Sequence, residues 1–311
     1  MHDFTKKIIL KYEIRKSDKQ KKAFIDEVVQ YCEQLGYSYQ IQETKGLLKS
    51  RNLIVGDVKK SKVYCTAHYD TCATMGFLPN FITPLNQFVY YSYQFALSFG
   101  MIALAMILGR VLENVTGGII SYFLGYTVFL FGIFYQLMMG YRNPKNYNDN
   151  TSGVVTLLEL MAKVDVEDRD KICFIFFDNE EKGLLGSGAF RKQYASKVVD
   201  KLLVNFDCVG DGDTLLMKYN RSMSQSSSKT IFESSFVTNG KKEMVFSDKG
   251  VYPSDQKHFD KICDTVAVAS LKKSKVVGLY MDRIHTPKDT ILDEENVSLL
   301  VNGMIGYVKE I

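Results

Sequence analysis

Residues 71–109 of this 311-residue chain contain no Asp, Glu, Lys, Arg or His across 39 positions, and residues 114–141 contain none across 28. Only "RVLE" (110–113) separates them. Their apolar cores, "FALSFGMIALAMILG" (95–109) with its aromatic lead-in and "GGIISYFLGYTVFLFGIFYQLMMG" (117–140), each approach the roughly 20 residues that span a bilayer. A helix apolar on every side has to be buried in something, and a two-helix insert brings too little protein to bury itself. The expectation is a membrane-inserted hairpin, with Tyr90, Tyr91, Tyr93 and Tyr135 at the interfaces. Lys59, Lys60 and Lys62 precede its entry and Arg142 and Lys145 follow its exit, whereas the tip offers Arg110 partly offset by Glu113. The positive-inside rule then puts the rest of the chain on the cytoplasmic side. Asn86, Gln87, Gln94 and Gln136 keep a second arrangement open, a soluble helical cap packed on the remainder of the chain.

Outside this segment the pattern is that of a globular protein. Residues 18–35 carry Phe24, Val28, Tyr31 and Leu35 on one helical face. Short strand-like runs follow at 37–42, 52–56 and 62–70. Beyond position 150 helix and strand alternate: "GVVTLLELMAKV", "KICFIFF", "GLLGSGAFRKQYASK", "KLLVNFD". Further strands are expected at 214–219, 264–270 and 274–280, and a closing helix over 293–309. Such alternation predicts an α/β fold, a mostly parallel mixed sheet with helices on both faces, whose chemistry gathers at the carboxyl ends of the strands. The expected organisation is one domain from 1–75 and 142–311, interrupted by the apolar hairpin at 76–141.

A net charge of +4, with no basic stripe interleaved with aromatics, argues against nucleic acid as a partner. "KSDKQKK" (16–22) is expected as a solvated helix face. The six cysteines form no CxxC pair and sit in apolar runs, which suits buried thiols in a reducing compartment. The charged N-terminus has no apolar signal core, so no signal peptide is expected and a cytoplasmic location follows.

Five stretches place metal-ligand side chains just after strands or at helix starts: "AHYDT" with His68 and Asp70, "YNDNTSG" with Asp149, "DNEEKGLLGS" with Glu180 and Glu181, "NFDCVGDGD" with Asp207, and "HTPKDT" with His285. The chain has four histidines, and two of them stand here. Each stretch alone is weak: a His-x-Asp is commonly a hydrogen-bonded pair, and "NDNTSG" alone passes as an N-cap. Together they offer what two divalent ions require, a bridging carboxylate and further ligands for each, with water between them. Nitrogen and oxygen donors without thiolate suit catalytic zinc with an open position. Asp70 can accept the second imidazole N–H of His68 and fix its tautomer. Glu180 and Glu181 follow the Phe174–Phe177 run, where alternation sends successive side chains apart. One can then bind metal while its neighbour reaches water as general base.

This ordered set resembles the co-catalytic di-zinc aminopeptidase family of peptidase clan MH, which also contains carboxypeptidase-like and glutaminyl-cyclase-like members. The likeness runs over roughly 50–75 and 145–300. It implies that His68, Glu181, Asp207 and His285 ligate two zinc ions, that Asp149 bridges them, that Glu180 is the general base and that Asp70 orients His68. "VYPSDQKHF" resembles the family's Tyr-x-x-Ser-Asp-His segment, which makes Tyr252 a candidate donor to the tetrahedral oxyanion, although the histidine stands later, at His258. In soluble relatives the loop between Asp70 and Asp149 is short; here it holds the hairpin, so the active site should lie close to the membrane surface.

The implied activity is a zinc-dependent aminopeptidase acting on peptides with a free N-terminus, membrane-associated through residues 84–141, with a homodimer paired through the hairpin as a further arrangement. A glutaminyl-cyclase-like acyltransferase and a catalytically silent membrane scaffold are the alternatives. The full set of five ligands weighs against the first, and Glu180 against the second.

Overall fold

The computed structural model describes residues 1–45, 49–76, 80–238 and 240–311. In chain order the elements are α1 (Asp3–Lys11), α2 (Asp18–Leu35), β1 (Tyr39–Glu43), β2 (Arg51–Val55), β3 (Val63–His68), α3 (Gln87–Thr116) and α4 (Ile119–Met139). They continue as α5 (Gly153–Lys163), β4 (Ile172–Phe177), α6 (Leu185–Val198), β5 (Leu202–Phe206), β6 (Thr214–Tyr219), α7 (Arg221–Gln225) and α8 (Ser228–Ser235). β7 (Glu243–Ser247), β8 (Asp264–Ser274), β9 (Gly278–Tyr280) and α9 (Glu294–Glu310) complete the chain.

The unbroken apolar runs become the centre of the sheet, because a strand covered on both faces needs apolar side chains at every position. β3, β4 and β5 are buried throughout. The strand order is β1-β2-β4-β3-β5-β8-β6-β7, with β9 paired to β8. β4, β3, β5 and β8 form a parallel centre, while β1, β2 and β6 join through antiparallel pairs. β7 then adds to β6 in parallel. Within β4, Phe174 and Phe176 pack on one face with Phe24 and Val28 of α2, Leu157 of α5 and Leu300 of α9. Ile175 and Phe177 pack on the other with Phe190 of α6 and Phe259. Each such side chain taken out of water contributes roughly 1.5–3 kcal/mol.

Register decides what this core positions. Ala67 pairs with Phe176 and His68 with Phe177, so β3 and β4 end level with each other. β5, parallel to β3, ends at Phe206, one residue before Asp207. His68, the Asp178–Glu181 segment and Asp207 thus emerge from one edge of the sheet.

α2 begins with a capping box in which the Ser17 side chain and the Gln20 side chain each satisfy the other's backbone N–H. The solvated face expected over 16–22 is only partly realised: Lys21 is 4% exposed, because its ammonium is drawn inward to an acid beyond the sheet edge. α1, α7, α8 and β7 were not anticipated. The α1 segment is a charged run of the kind that also occurs in tails, and β7 is a half-exposed edge strand without polar alternation.

The chain leaves the α/β core at Ala73 and returns at Arg142, and these two residues pair as an isolated antiparallel bridge. Between them α3 and α4 lie against each other; a Cβ on Gly109 would stand 2.8 Å from the Tyr122 carbonyl, and one on Gly125 3.1 Å from Leu112. Both helices are long and apolar enough to cross a membrane by length and composition. Among the residues of α3 only Ala105 and Gly109 are buried, and α4 has none. The hairpin is therefore not packed onto the α/β core as a cap, and Phe88, Ile120 and Phe131 stand bare on it. Its foot is held by polar contacts: Asn86 accepts from the Val89 N–H at 3.2 Å and donates to the Val277 carbonyl at 3.3 Å.

Candidate metal centre

His68 closes β3 and is 1% exposed. Its Nδ1 lies 3.1 Å from the backbone carbonyl of Asp70 and 3.6 Å from that residue's carboxylate. The imidazole is therefore oriented through the main chain of Asp70, and its Nε2 faces Asp149 Oδ1 at 3.3 Å and Asp207 Oδ1 at 3.6 Å. The other oxygen of Asp149 faces His285 Nε2 at 3.1 Å, and the same nitrogen lies 3.4 Å from Glu181 Oε2. One carboxylate thus stands between two donor sets: His68, Asp149 and Asp207 on one side, and Asp149, Glu181 and His285 on the other. Glu180 places a donor atom within 4.8 Å of His68 and Glu181. The structure brings together all five expected ligands and the expected base.

The carboxylate of Asp70, which faces His68 Nδ1 at 3.6 Å, has a further task beside the one anticipated. It accepts the backbone N–H groups of Glu180 at 3.0 Å and Glu181 at 3.3 Å, and so carries the turn that presents both glutamates. That turn also corrects the strand-alternation argument. β4 ends at Phe177, and Asn179 adopts a left-handed φ of 56° before Glu180 begins. The two glutamates are presented by a turn and not by alternation along a strand, and donor atoms of both lie within 4.8 Å of His68 and of each other. Cys208 (φ 59°) and His285 (φ 61°) hold the same sparsely populated conformation beside Asp207 and in the last ligand loop, the pattern of local strain that gathers at functional sites.

The loops are knitted from beneath. Asp289, four residues after His285, accepts the N–H groups of Asn148 at 2.7 Å and Asp149 at 3.0 Å. Asn148 Oδ1 accepts from Gly210 at 2.7 Å and Asp211 at 3.1 Å; Asn150 Oδ1 accepts from Gly153 at 3.0 Å and Cys208 at 3.2 Å. Gly153 is required there because a Cβ would run into the Phe206 carbonyl. Lys21 donates to Asp178 at 2.8 Å and Asn179 at 2.9 Å, clamping the base of the glutamate turn. Arg15, fully buried, donates to the carbonyls of Tyr69 and Tyr12 and to Thr151 Oγ1. None of Asp289, Asn148, Asn150, Lys21 and Arg15 was identified from sequence. Asp289 had a signal, its place in "HTPKDT" beside a ligand; Arg15 and Lys21 had none, since they lie in a charged N-terminal run.

Tyr252 takes another position than the one expected of an oxyanion donor. Its hydroxyl, 5% exposed with its residue, donates to the backbone carbonyl of Asp207 at 2.9 Å. One proton cannot also be aimed at a substrate oxygen, so Tyr252 positions the Asp207 loop. His258 lies at the start of α6, 3.4 Å from where a Cβ of Gly188 would be, and is not among the donor sets.

Electrostatics favour a bound cation. Burial pushes Glu180 and Glu181 well above the ordinary glutamate value, helped by neighbouring acids. Burial alone would lower His68, but Asp149, Asp207 and Asp70 outweigh it and hold it well above the usual imidazole value. Burial lowers Arg15 to about 10 although Asp70 and Glu13 oppose the shift. Glu181 Oε1 is buried without a hydrogen-bond partner among the described residues. Clustered dry carboxylates with an orphaned oxygen are costly unless a cation compensates them. Imidazole and carboxylate donors with no thiolate fit zinc. Cys72 lies beside Glu181 and His285, yet its thiol is turned to Asn146 Oδ1 at 3.5 Å, and burial pushes it well above the usual thiol value.

The sequence model of peptidase family M28 matches residues 141–305. Among solved structures, the LapA aminopeptidase of Legionella pneumophila aligns at a TM-score of 0.60 and 14% identity, covering 99% of this chain and 67% of that one. The glutaminyl cyclase of Porphyromonas gingivalis aligns at 0.64 and 16% identity, covering 99% and 95%. That of Bacteroides thetaiotaomicron, bound to N-acetylhistamine, aligns at 0.63 and 15% identity, covering 99% and 96%. At these identities the likeness is one of fold. No curated protein matches the chain.

Proposed function

We propose that this chain, which belongs to peptidase family M28, is a two-zinc aminopeptidase held at the cytoplasmic face of a membrane. The observation that carries the reading is Asp149, whose two oxygens face two histidines at 3.3 and 3.1 Å, each within a separate donor set. Zinc ions held by His68, Asp149 and Asp207 and by Asp149, Glu181 and His285 would supply Lewis acidity to water and to the scissile carbonyl.

The remaining work falls to the chain. Glu180, made more basic by its burial, accepts a proton from water and returns it to the leaving amine. Asp70 holds Glu180 and Glu181 in register through two backbone N–H groups. A substrate's free α-amine would bind at one metal or at nearby acids, which would limit cleavage to N-terminal residues. Glutaminyl-cyclase-like acyl transfer is disfavoured because it leaves the second donor set idle.

Membrane attachment through 84–141 is supported by α4, which is apolar all round and buries no residue in the described chain. The cations at Lys59, Lys60, Lys62, Arg142 and Lys145 favour a cytoplasmic core.

The test is hydrolysis of aminoacyl 4-nitroanilides by the full chain in detergent, with and without chelator, beside Glu180→Gln. Chelator-sensitive release of N-terminal residues that Glu180→Gln abolishes, with metal retained, is the expected outcome. Metal binding without any amide cleavage counts against the reading.

A further inference from the structure

An open groove of about 930 Å³ runs along α3 and α4, walled by side chains such as Leu108, Val128 and Phe129, with Thr74, Met75 and Gly76 at its foot. The foot is tied to the metal centre. The Met75 N–H donates to the His285 carbonyl at 2.8 Å, and the Thr74 N–H donates to the Tyr141 carbonyl at 2.8 Å. The groove is more than a gap left by helix packing. Gly109 and Gly125 are glycines where the helices touch, but a Cβ on Gly132 would meet nothing within 4 Å. Gly132 lines the groove, so the side chain it lacks leaves the groove wider there.

A second cleft, of about 470 Å³, borders the same Ala73–Arg142 bridge and gathers Lys16, Arg142 and Lys182. No carboxylate among the described residues lies within 4.0 Å of these three cations; Lys16 Nζ donates instead to the Met138 carbonyl at 3.2 Å. Lys182 follows Glu181 directly in the chain.

The two features select an occupant. An extended peptide laid in the groove would leave its backbone groups unpaired in apolar surroundings, which hydrocarbon does not tolerate. A hydrocarbon chain has no such groups. At the foot, cations without a carboxylate partner beside an apolar groove are the chemistry that holds a lipid phosphate. We infer that the substrate is an anionic lipid bearing an aminoacyl group, its chain in the α3–α4 groove and its phosphate on Lys16, Arg142 and Lys182. The aminoacyl carbonyl then reaches the donor sets around Asp149.

This rests on the hydrolase reading above, since the same chemistry serves an aminoacyl ester. Water adds to the aminoacyl carbonyl carbon and the bond to the lipid oxygen breaks. Glu180 passes the proton taken from water to that oxygen, so the free amino acid and the lipid alcohol leave.

The test uses the full chain in phosphatidylcholine vesicles doped with alanyl-phosphatidylglycerol, run beside alanine 4-nitroanilide and a transmembrane peptide with a free N-terminal alanine. The lipid is expected to release alanine. The ratio of lipid to amide hydrolysis is expected to fall about tenfold in Gly132→Leu, which fills the groove. It is expected to fall about fivefold in Arg142→Gln, which removes one cation from the phosphate cleft. Metal content confirms that each variant is folded. Cleavage of the amide with the lipid spared overturns the inference and leaves the aminopeptidase reading standing. So does preference for the transmembrane peptide, a ratio unmoved by both variants, or disulfide formation between Gly132→Cys chains, which assigns the groove to a second copy. Cleavage of none of the three substrates overturns both.

Discussion

Lys21 of α2 reaches across the end of the sheet to Asp178, and the two charged groups meet at 2.8 Å with side chains 5% and 3% exposed. A buried pair of this kind is weak as a source of stability but costly to break, because the partner left behind is a dry, uncompensated charge. Lys21→Met is expected to lower stability by about 3–5 kcal/mol. Asp178→Asn added to it should restore part of that loss. Denaturant midpoints of the four proteins in a double-mutant cycle check this, and an additive cycle contradicts it.

The same pair ties down the start of the Asp178–Glu181 turn, and Asp70 holds its end through the Glu180 and Glu181 N–H groups. Asp70→Asn keeps one acceptor oxygen where two N–H groups now bind, and it alters the electrostatics of His68. A drop in metal affinity or in kcat/KM of about 10–100-fold is expected, the usual size for a residue supporting ligands. Titration with a competing chelator measures the first effect and aminoacyl amide hydrolysis the second.

At the other end of the domain, Glu159 of α5 binds α1. Its carboxylate accepts from Thr5 Oγ1 at 2.5 Å and from the His2 N–H at 2.6 Å. Burial raises its pKa, but these bonds and the charges of His2 and Lys163 outweigh burial and leave it below the ordinary 4.5. A carboxylate depressed in the folded state stabilises fully above its unfolded value, and that contribution disappears as pH falls through the folded one. Amide exchange in α1, taken relative to its intrinsic rate at each pH, is therefore expected to accelerate on acidification below pH 4.5. In Glu159→Gln it should be fast already at neutral pH. Equal exchange in both proteins at neutral pH contradicts the assignment.

Much of this was legible before any coordinates, for reasons that belong to particular residues. Phe174–Phe177 announces a strand buried on both faces because it is a short apolar run bounded by charged and turn-forming residues, too short for a buried helix. Three of the five ligand motifs, those of His68, Glu180–Glu181 and Asp207, stand where strands end because parallel strands deliver their carboxyl ends to one edge, while Asp149 precedes α5 and His285 lies in the loop after β9. Other features had no such mark. Lys21 and Arg15 look like surface cations in a charged run, and only the fold turns them inward. Glu180 and Glu181 were expected to be sent apart by alternation, whereas the left-handed turn at Asn179 presents them and donor atoms of both lie near His68. Tyr252 sits in a familiar segment, yet its hydroxyl is engaged by the Asp207 carbonyl. Hydrogen-bond allocation of that kind depends on how loops close, which residue type and spacing do not encode.

The central claim is that Asp149 joins two metal sets, and counting bound zinc in the wild type and three ligand variants tests it most directly. Two zinc ions per purified wild-type chain are expected, one in His68→Ala or in His285→Ala, and loss of tight binding at both sites in Asp149→Ala. A single ion in the wild type, unaffected by His285→Ala, would contradict the two-set arrangement.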